Sequence, residues 1–211
     1  MPKYFIGFVF CCLQFNQALL AQQTTQKQQQ DSLSIADLQY LRKTSSMLKD
    51  LEDSLGINAA NMSKKVQLVP ATELKAIEIN TAIIKVPFTD DLNSALFAYA
   101  HNMYNAIHVS AYKAVIAKAR KLTRTAFADS LCVIESKAVY NTILIGLETG
   151  TTQYLPYPTN LINAVIDKVK RKINTATVLY MAFNYVKNNA KDANGKSIYQ
   201  SFTQYYDGLP R

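Results

Sequence analysis

The sequence predicts an all-α protein, a helical bundle of about five to seven helices that follows a signal peptide and a flexible Gln-rich N-terminal spacer. Three observations predict this class. Residues 89–150 contain no proline, and their first glycine is Gly146. Apolar residues recur there at spacings of three and four, the period of one helical face. A proline-containing connector then separates this segment from a second helical segment that begins near residue 160.

The first 21 residues have the layout of a secretory signal peptide. Lys3 precedes an apolar block at residues 4–15, and a polar segment follows that ends at Ala21. The block is shorter than the about 20 apolar residues that a membrane-spanning helix needs. We therefore expect cleavage near Ala21 and an exported chain, periplasmic or extracellular. An uncleaved interfacial anchor and an ordinary buried helix are the alternatives.

A spacer and an amphipathic helix are predicted next. Residues 22–33 form the spacer, because QQTTQKQQQ at residues 22–30 has no apolar side chain to bury. Residues 34–56 are predicted to form the helix, with Ser34 capping its start and Gly56 its end. Its apolar stripe suits docking on a core or a partner, and we treat it as a possible interaction helix. The stripe consists of Leu38, Leu41, Leu48, Leu51 and Leu55.

The rest of the chain divides into a linker and a helical domain. Residues 57–88 are the linker, with a short helix opening at Pro70 and with TAIIKVPF as a short strand or an extended connector. Residues 89–211 are the helical domain, with a break expected near residues 123–129. Thr159 or Asn160 is expected to cap the helix, or pair of helices, after the connector. A turn at Asn194 and Gly195 precedes a last short helix.

Basic residues give the chain a formal net charge of +8, from 23 Lys and Arg against 15 Asp and Glu. Those on two predicted helices form a possible face for an anion or an acidic partner, including an anionic membrane surface. A solvated face that keeps the protein soluble is the other interpretation. No nucleic-acid-binding motif accompanies them, so no nucleic acid partner is expected. The residues are Lys113, Lys118, Arg120, Lys121 and Arg124 on the first helix and Lys168, Lys170, Arg171 and Lys172 on the second.

The two histidines and the one cysteine outside the signal peptide do not predict a metal site. His101 and His108 share a helical face, but two turns separate their backbones by about 10.5 Å, which is too far for both to reach one ion easily. We predict no metal and no cofactor, and histidines that line a helix interface. The apolar flanks of Cys132 in SLCVIES predict a buried thiol.

Two further groups of side chains allow a functional or a purely structural interpretation. Aromatic residues and one methionine at helical spacing could line a ligand groove or simply form core. Carboxylate pairs such as Glu135 and Glu148 could act together, but a spacing in sequence does not bring two carboxylates into one cleft. The first group consists of Tyr99, Met103, Tyr104, Tyr180, Phe183 and Tyr185.

No catalytic motif is present: the sequence lacks G-x-S-x-G, H-E-x-x-H and a phosphate-binding glycine loop. We therefore expect no catalytic residues and a non-enzymatic, exported helical protein that assembles with a partner protein at the cell envelope or with a second copy of itself. In outline, a signal, a Gln-rich spacer and a basic helical body are similar to exported helical subunits of secretion or conjugation machinery. A helical carrier of a small ligand or lipid is the alternative, and a carboxylate-based hydrolase is the third hypothesis.

Overall fold

The computed structural model describes residues 45–70, 73–74, 83–87, 92–192 and 195–210. They belong to one compact unit, Leu38–Arg211. The predicted signal peptide and spacer lie outside the described residues, as do Leu38 and Leu41 of the predicted interaction helix and most of the short helix expected from Pro70.

The described part of the chain is mostly helical, as predicted, but it also contains a small two-stranded parallel sheet, which the predicted all-α class does not include. Its eight α-helices slightly exceed the expected number. A 3₁₀ turn precedes α5 at Ala119–Lys121, and another precedes α6 at Thr152–Tyr154. The elements are α1 (Ser46–Ser54), α2 (Met62–Lys65), β1 (Val66–Val69), β2 (Ile84–Pro87), α3 (Leu92–Ile107), α4 (Val109–Ala117), α5 (Arg124–Glu148), α6 (Thr159–Val169), α7 (Thr175–Asn188) and α8 (Ile198–Asp207).

The 25-residue helix α5 is the centre of the fold. It packs against α3, α4, α6, α7 and α8. Phe127, Leu131 and Ile143 are fully buried along it. The helix begins where the Thr123 hydroxyl accepts a hydrogen bond from the Ala126 amide at 3.1 Å. Because other helices cover several of its sides, α5 needs apolar residues around most of its circumference.

By length and composition alone, α5 is also the one helix in the described ranges that could cross a membrane. Its most apolar 18-residue window has a mean hydropathy of 1.3, and 61% of that window is buried inside the protein. A helix at the core of a globular domain has the same composition, so this observation is weak support for a membrane span.

The backbone leaves the α-helical conformation between α4 and α5. This interruption lies at the start of residues 123–129, where we predicted a helix break. Leu122 and Thr123 have extended backbones, with ψ of 148° and 159°. The prediction that Lys113 and Arg124 lie on one basic helix is therefore wrong. Lys113 lies on α4 and Arg124 begins α5, while Lys118 precedes the 3₁₀ turn and Arg120 and Lys121 lie within it. The Thr123 cap explains the break, because a capping threonine stabilises a helix start rather than a continuing helix.

Within the described residues, the helix predicted over residues 34–56 begins at Ser46 and is preceded by Ser45, whose backbone is extended with φ −124° and ψ 116°. Its hydroxyl accepts a hydrogen bond from the Leu48 amide at 3.0 Å and donates one to Glu148. The Glu148 carboxylate also accepts from the Ser46 amide at 2.8 Å. A carboxylate at a helix N-terminus satisfies amides that have no partner within the helix, which favours a new start there. The predicted end is confirmed at Gly56, with φ of 63°.

The described leucines of the interaction stripe pack on the chain's own core. Leu48 is fully buried, and Leu51 and Leu55 pack partly buried against the same cluster. Helix α1 contacts α3, where the Tyr99 hydroxyl donates to the buried Glu52 carboxylate at 2.9 Å. This half of the stripe therefore supports the fold of the protein itself.

The two strands pair in parallel, with Val66 opposite Ile84 and Val69 opposite Pro87. Strand β2 lies within the segment that allowed a strand or an extended connector. It packs against α3, and the Asn102 side chain donates to the Lys85 carbonyl at 2.7 Å. Residues 71–72 and 75–82, which belong to the connection between the strands, lie outside the described residues.

The C-terminal half agrees with the predicted order of connector, helix pair and last helix. Helix α6 begins at Thr159 after Pro158, which occupies the cap position, so the prediction of Thr159 or Asn160 as the cap is wrong. Proline suits this position because it has no amide hydrogen to satisfy. The Ser197 hydroxyl caps α8, and Phe202 of α8 is fully buried.

The packing around α5 predicts unequal effects of two truncations on this helix. Replacing the fully buried Leu131 by Ala should lower the free energy of unfolding by about 2 to 5 kcal/mol, because a cavity replaces packed atoms. Val133→Ala is the matched control: this side chain is 46% exposed, so its effect should stay within about 0.5 kcal/mol. Urea unfolding followed by circular dichroism measures both. Equal effects would contradict the central position of α5.

Candidate functional site

A cavity of about 490 Å³ lies beside α3 and α5. Its walls come from β2, α3, α5, the connector before α6, the end of α7 and the start of α8. This volume is within the range of small-molecule sites, about 300 to 1,000 Å³. Most of the wall is apolar, and it includes Ile84, Phe97, Val139, Val186 and Ile198.

One carboxylate lies at the inner end of the cavity, and three side chains donate hydrogen bonds to it. Glu135 of α5 has a side chain only 4% exposed. Its Oε1 accepts from the Tyr112 hydroxyl at 2.5 Å and from Asn105 Nδ2 at 3.1 Å. Its Oε2 lies 2.8 Å from His101 Nε2. We call these four residues the polar floor of the cavity.

The polar floor keeps Glu135 ionised. Burial by itself raises the pKa of this carboxyl, but the hydrogen bond and the charge of His101, together with the hydrogen bonds from Tyr112 and Asn105, hold its pKa below the usual value. Burial and the neighbouring Glu135 charge raise the pKa of Tyr112 well above its usual value. The carboxylate therefore accepts hydrogen bonds, and the phenol stays protonated and donates one.

His101 connects the polar floor to the open part of the cavity. An ionised carboxylate only accepts hydrogen bonds, so His101 Nε2 carries the hydrogen that points to Glu135. In the neutral ring, Nδ1 is then an acceptor, and it lies 3.5 Å from the Tyr157 hydroxyl, the outer limit of a hydrogen bond. The His101 side chain is 21% exposed, more than Glu135 behind it.

Tyr157 and Tyr185 form an aromatic wall next to His101. Their ring centroids are 5.8 Å apart, and the planes meet at 84°. Burial raises the pKa of Tyr157, which outweighs a hydrogen bond with Thr142 that lowers it. The Tyr157 hydroxyl thus stays protonated and can donate or accept a hydrogen bond. Lys85, Lys191 and Asp192 add charged groups to the lining.

The two histidines, which share one predicted face, have different surroundings. His101 lies in the polar floor, whereas His108 stacks on Tyr104 with centroids 4.4 Å apart. His108 Nδ1 also lies 3.0 Å from the Tyr104 carbonyl oxygen. Within the described residues, no group of three His, Cys, Asp or Glu side chains could hold a metal ion.

Of the six side chains suggested for a ligand groove, the cavity lining includes Tyr185. Tyr99 and Met103 are fully buried in the core, and Tyr180 is 65% exposed. The groove that the sequence suggested is therefore not formed by this group. The cavity uses Tyr157 and Tyr112 instead, which the sequence analysis did not single out.

The carboxylate pair considered for hydrolysis is separated. Glu135 and Glu148 lie 13 positions apart on α5, which is about 20 Å along the helix axis. Glu148 is exposed, and its pKa is lowered by hydrogen bonds from Ser45 and Ser46 that outweigh the desolvation that raises it. Asp192 also lines the cavity, but its carboxylate accepts from the Lys196 amide at 3.0 Å and from the Ser201 hydroxyl at 3.2 Å.

Cys132 is buried, as its apolar flanks predict. Burial raises the pKa of its thiol to about 12. A thiol that stays protonated is a poor nucleophile, so its surroundings favour a structural role.

The nine basic residues of the proposed anion or partner face are exposed, apart from the partly buried Lys168. Arg124 donates to Asp207 at 2.7 Å, and Lys172 lies 3.3 Å from Asp167. The last three cations, Lys170, Arg171 and Lys172, follow the end of α6 rather than lying on it. Their role as a binding face stays a prediction.

The residues of the polar floor were visible in the sequence only as separate parts. His101 and Asn105 are four positions apart on α3, so both face one side of that helix. Tyr112 and Glu135 lie on α4 and α5, and Tyr157 lies on a connector. No local spacing predicts that the four residues of the polar floor meet one another and Tyr157.

Comparison of the chain with protein-family models finds no match. The curated proteins give no match either. No solved structure matches the fold. The described residues form a mostly helical fold with a ligand-sized cavity and a buried polar floor.

The lowered pKa of Glu135 predicts part of the acid sensitivity of the protein. The ionised Glu135 stabilises the fold above the ordinary carboxyl pKa near 4.5. This contribution is lost as the pH falls through the lower pKa that Glu135 has in the folded protein, because the unfolded chain then binds more protons. In Glu135→Gln, the loss of unfolding free energy between about pH 7 and pH 3 should be smaller than in the wild type.

Urea unfolding at both pH values measures this difference. Asp50→Asn removes an exposed carboxylate on α1 as a control, and the acid loss of this variant should stay near the wild-type value. An unchanged acid loss in Glu135→Gln would contradict the assignment of Glu135 as a carboxylate held ionised by its neighbours.

Proposed function

We propose that this chain is a non-enzymatic binding protein that carries a small, largely apolar molecule in the cavity beside α3 and α5. The observation behind this proposal is the combination of a volume of about 490 Å³ with mostly apolar walls and a buried, hydrogen-bonded polar floor. Ligand sites usually combine a mainly apolar surface with a few polar groups that orient the ligand. The polar floor supplies such groups through His101 and the neighbouring Tyr157.

The proposal makes use of the polar floor without requiring catalysis. His101 is oriented by a carboxylate, as in many general bases. The hydrogen bonds of its ring in the described part of the chain go to Glu135 and to the Tyr157 phenol, which burial keeps protonated. A protonated phenol is a weak nucleophile, so this arrangement suits recognition of a hydrogen-bonding group. The signal peptide predicted at residues 1–21 would place this activity outside the cytoplasm.

Filling the cavity should abolish most of the binding. Ala98 lines the cavity from α3, and Ala98→Leu should weaken binding of the neutral fluorescent probe N-phenyl-1-naphthylamine by about 10-fold or more. Ala117→Leu is the matched control, because this alanine is exposed at the end of α4. Fluorescence titration measures the affinity, and circular dichroism confirms the fold. Absence of probe binding to the wild type, or equal binding by both variants, would contradict the proposal.

Assembly at the cell envelope is the second candidate function. Two observations favour it. The cations of the proposed anion or partner face are exposed, apart from the partly buried Lys168, and Tyr180 on α7 is 65% exposed. Exposed cations attract anionic surfaces through Coulomb forces that salt screens.

If this second function holds, the protein should self-associate or bind anionic vesicles at low salt. High salt should weaken the binding of anionic vesicles, because it screens the charges. Light scattering with and without vesicles measures both properties. Lys118→Glu combined with Lys121→Glu should reduce vesicle binding. A monomer that is indifferent to salt and vesicles would contradict the assembly role and leave ligand carriage as the remaining candidate.

A further inference from the structure

We propose that the cavity selects neutral, hydroxyl-bearing apolar molecules, such as aliphatic alcohols, and rejects carboxylates of the same chain length. This inference rests on the proposed function and specifies the chemical class of its ligand. It depends on the order of groups at the polar end of the cavity: a buried carboxylate, an imidazole in front of it and a phenol beside the imidazole.

The first step of the argument concerns charge. Glu135 is an ionised side chain that is only 4% exposed, and three donors hold it in place. Its negative charge lies in a region of low dielectric, where screening by water is weak. A ligand carboxylate placed at the polar end would face this charge and would also lose its own hydration. The apolar tail of a fatty acid fits the walls, but its head group does not fit the floor.

The second step concerns hydrogen bonding. When the His101 ring is neutral and donates through Nε2 to Glu135, its Nδ1 is an acceptor that faces the cavity. An alcohol can donate its hydroxyl hydrogen to Nδ1, whereas an ionised carboxylate has no hydrogen to donate. The Tyr157 hydroxyl, 3.5 Å from Nδ1, can donate in turn to the alcohol oxygen. The long contact between His101 and Tyr157 is weak, so a ligand hydroxyl that replaces it gains more than it displaces.

The third step concerns the other charged groups that face the cavity. Lys85, Lys191 and Asp192 line it together with the polar floor. Lys85 lies on β2, and Lys191 and Asp192 follow α7, whereas His101 and Glu135 lie on α3 and α5. The hydrogen bonds of Glu135 go to His101, Asn105 and Tyr112, so these lysines are not its hydrogen-bonded counterions. A ligand head group that hydrogen-bonds to His101 Nδ1 would lie near the Glu135 charge, because Glu135 Oε2 is 2.8 Å from Nε2 of the same ring.

Competition among three probes of equal chain length tests the inference. We would displace N-phenyl-1-naphthylamine from the full chain at about pH 8, above the ordinary pKa of an imidazole, with 1-octanol, octanoate or octylamine. 1-Octanol should bind about 10-fold or more tightly than octanoate, a difference of about 1.4 kcal/mol. In Glu135→Gln the preference for octanol over octanoate should fall, because the amide carries no charge to repel the carboxylate.

Asp50→Asn serves as the matched control, since it removes one negative charge from an exposed position on α1 and should leave the preference unchanged. Octanoate binding equal to or tighter than octanol would overturn the inference, as would tighter binding of octylamine, which would make charge the recognised feature. The wild-type comparison decides the matter even where Glu135→Gln lowers stability.

The same titrations separate this inference from the proposed function. Binding of the naphthylamine without displacement by octanol keeps the cavity as a ligand site and overturns the hydroxyl selectivity. Failure of the naphthylamine to bind overturns the proposed function itself.

Discussion

Burial of the Glu135 carboxylate is the interaction on which the arrangement of the central helices depends. A charge removed from water costs several kcal/mol unless donors replace the lost hydration. Its donors come from two other helices, His101 and Asn105 on α3 and Tyr112 on α4. The carboxylate therefore fixes how α3 and α4 approach α5, and removing one partner leaves a buried polar group without its hydrogen bond.

The same polar groups line the cavity. His101 of α3 and Tyr112 of α4 point their polar atoms to Glu135, although most of the surrounding core is apolar. The walls then consist of residues that also belong to the core, including Phe97, Val139 and Val186. The cavity wall and the packed core thus share these residues, so a substitution that changes the cavity also changes the packing.

The two glutamates of α5 show how position in the fold assigns different roles to identical residues. Glu135 is enclosed by helices and accepts hydrogen bonds inside the protein, whereas Glu148 is exposed and satisfies the first amides of α1. Both stand in apolar, helical stretches of sequence. Local pattern could not separate them, because Glu135 reaches His101 across 34 residues and Glu148 reaches Ser45 across 103 residues.

The sequence by itself determined the helical class, the break before α5, the connector before α6, the last helix and the burial of Cys132. Helical periodicity, caps, prolines and apolar flanks act within a few residues, so a local pattern reports them. Only the tertiary structure decided that a helix begins at Ser46, that Leu48 packs on the chain's own core, that β1 and β2 pair in parallel and that His101 meets Glu135. Each of these contacts joins distant segments, and its free energy depends on how whole helices pack rather than on neighbours in sequence.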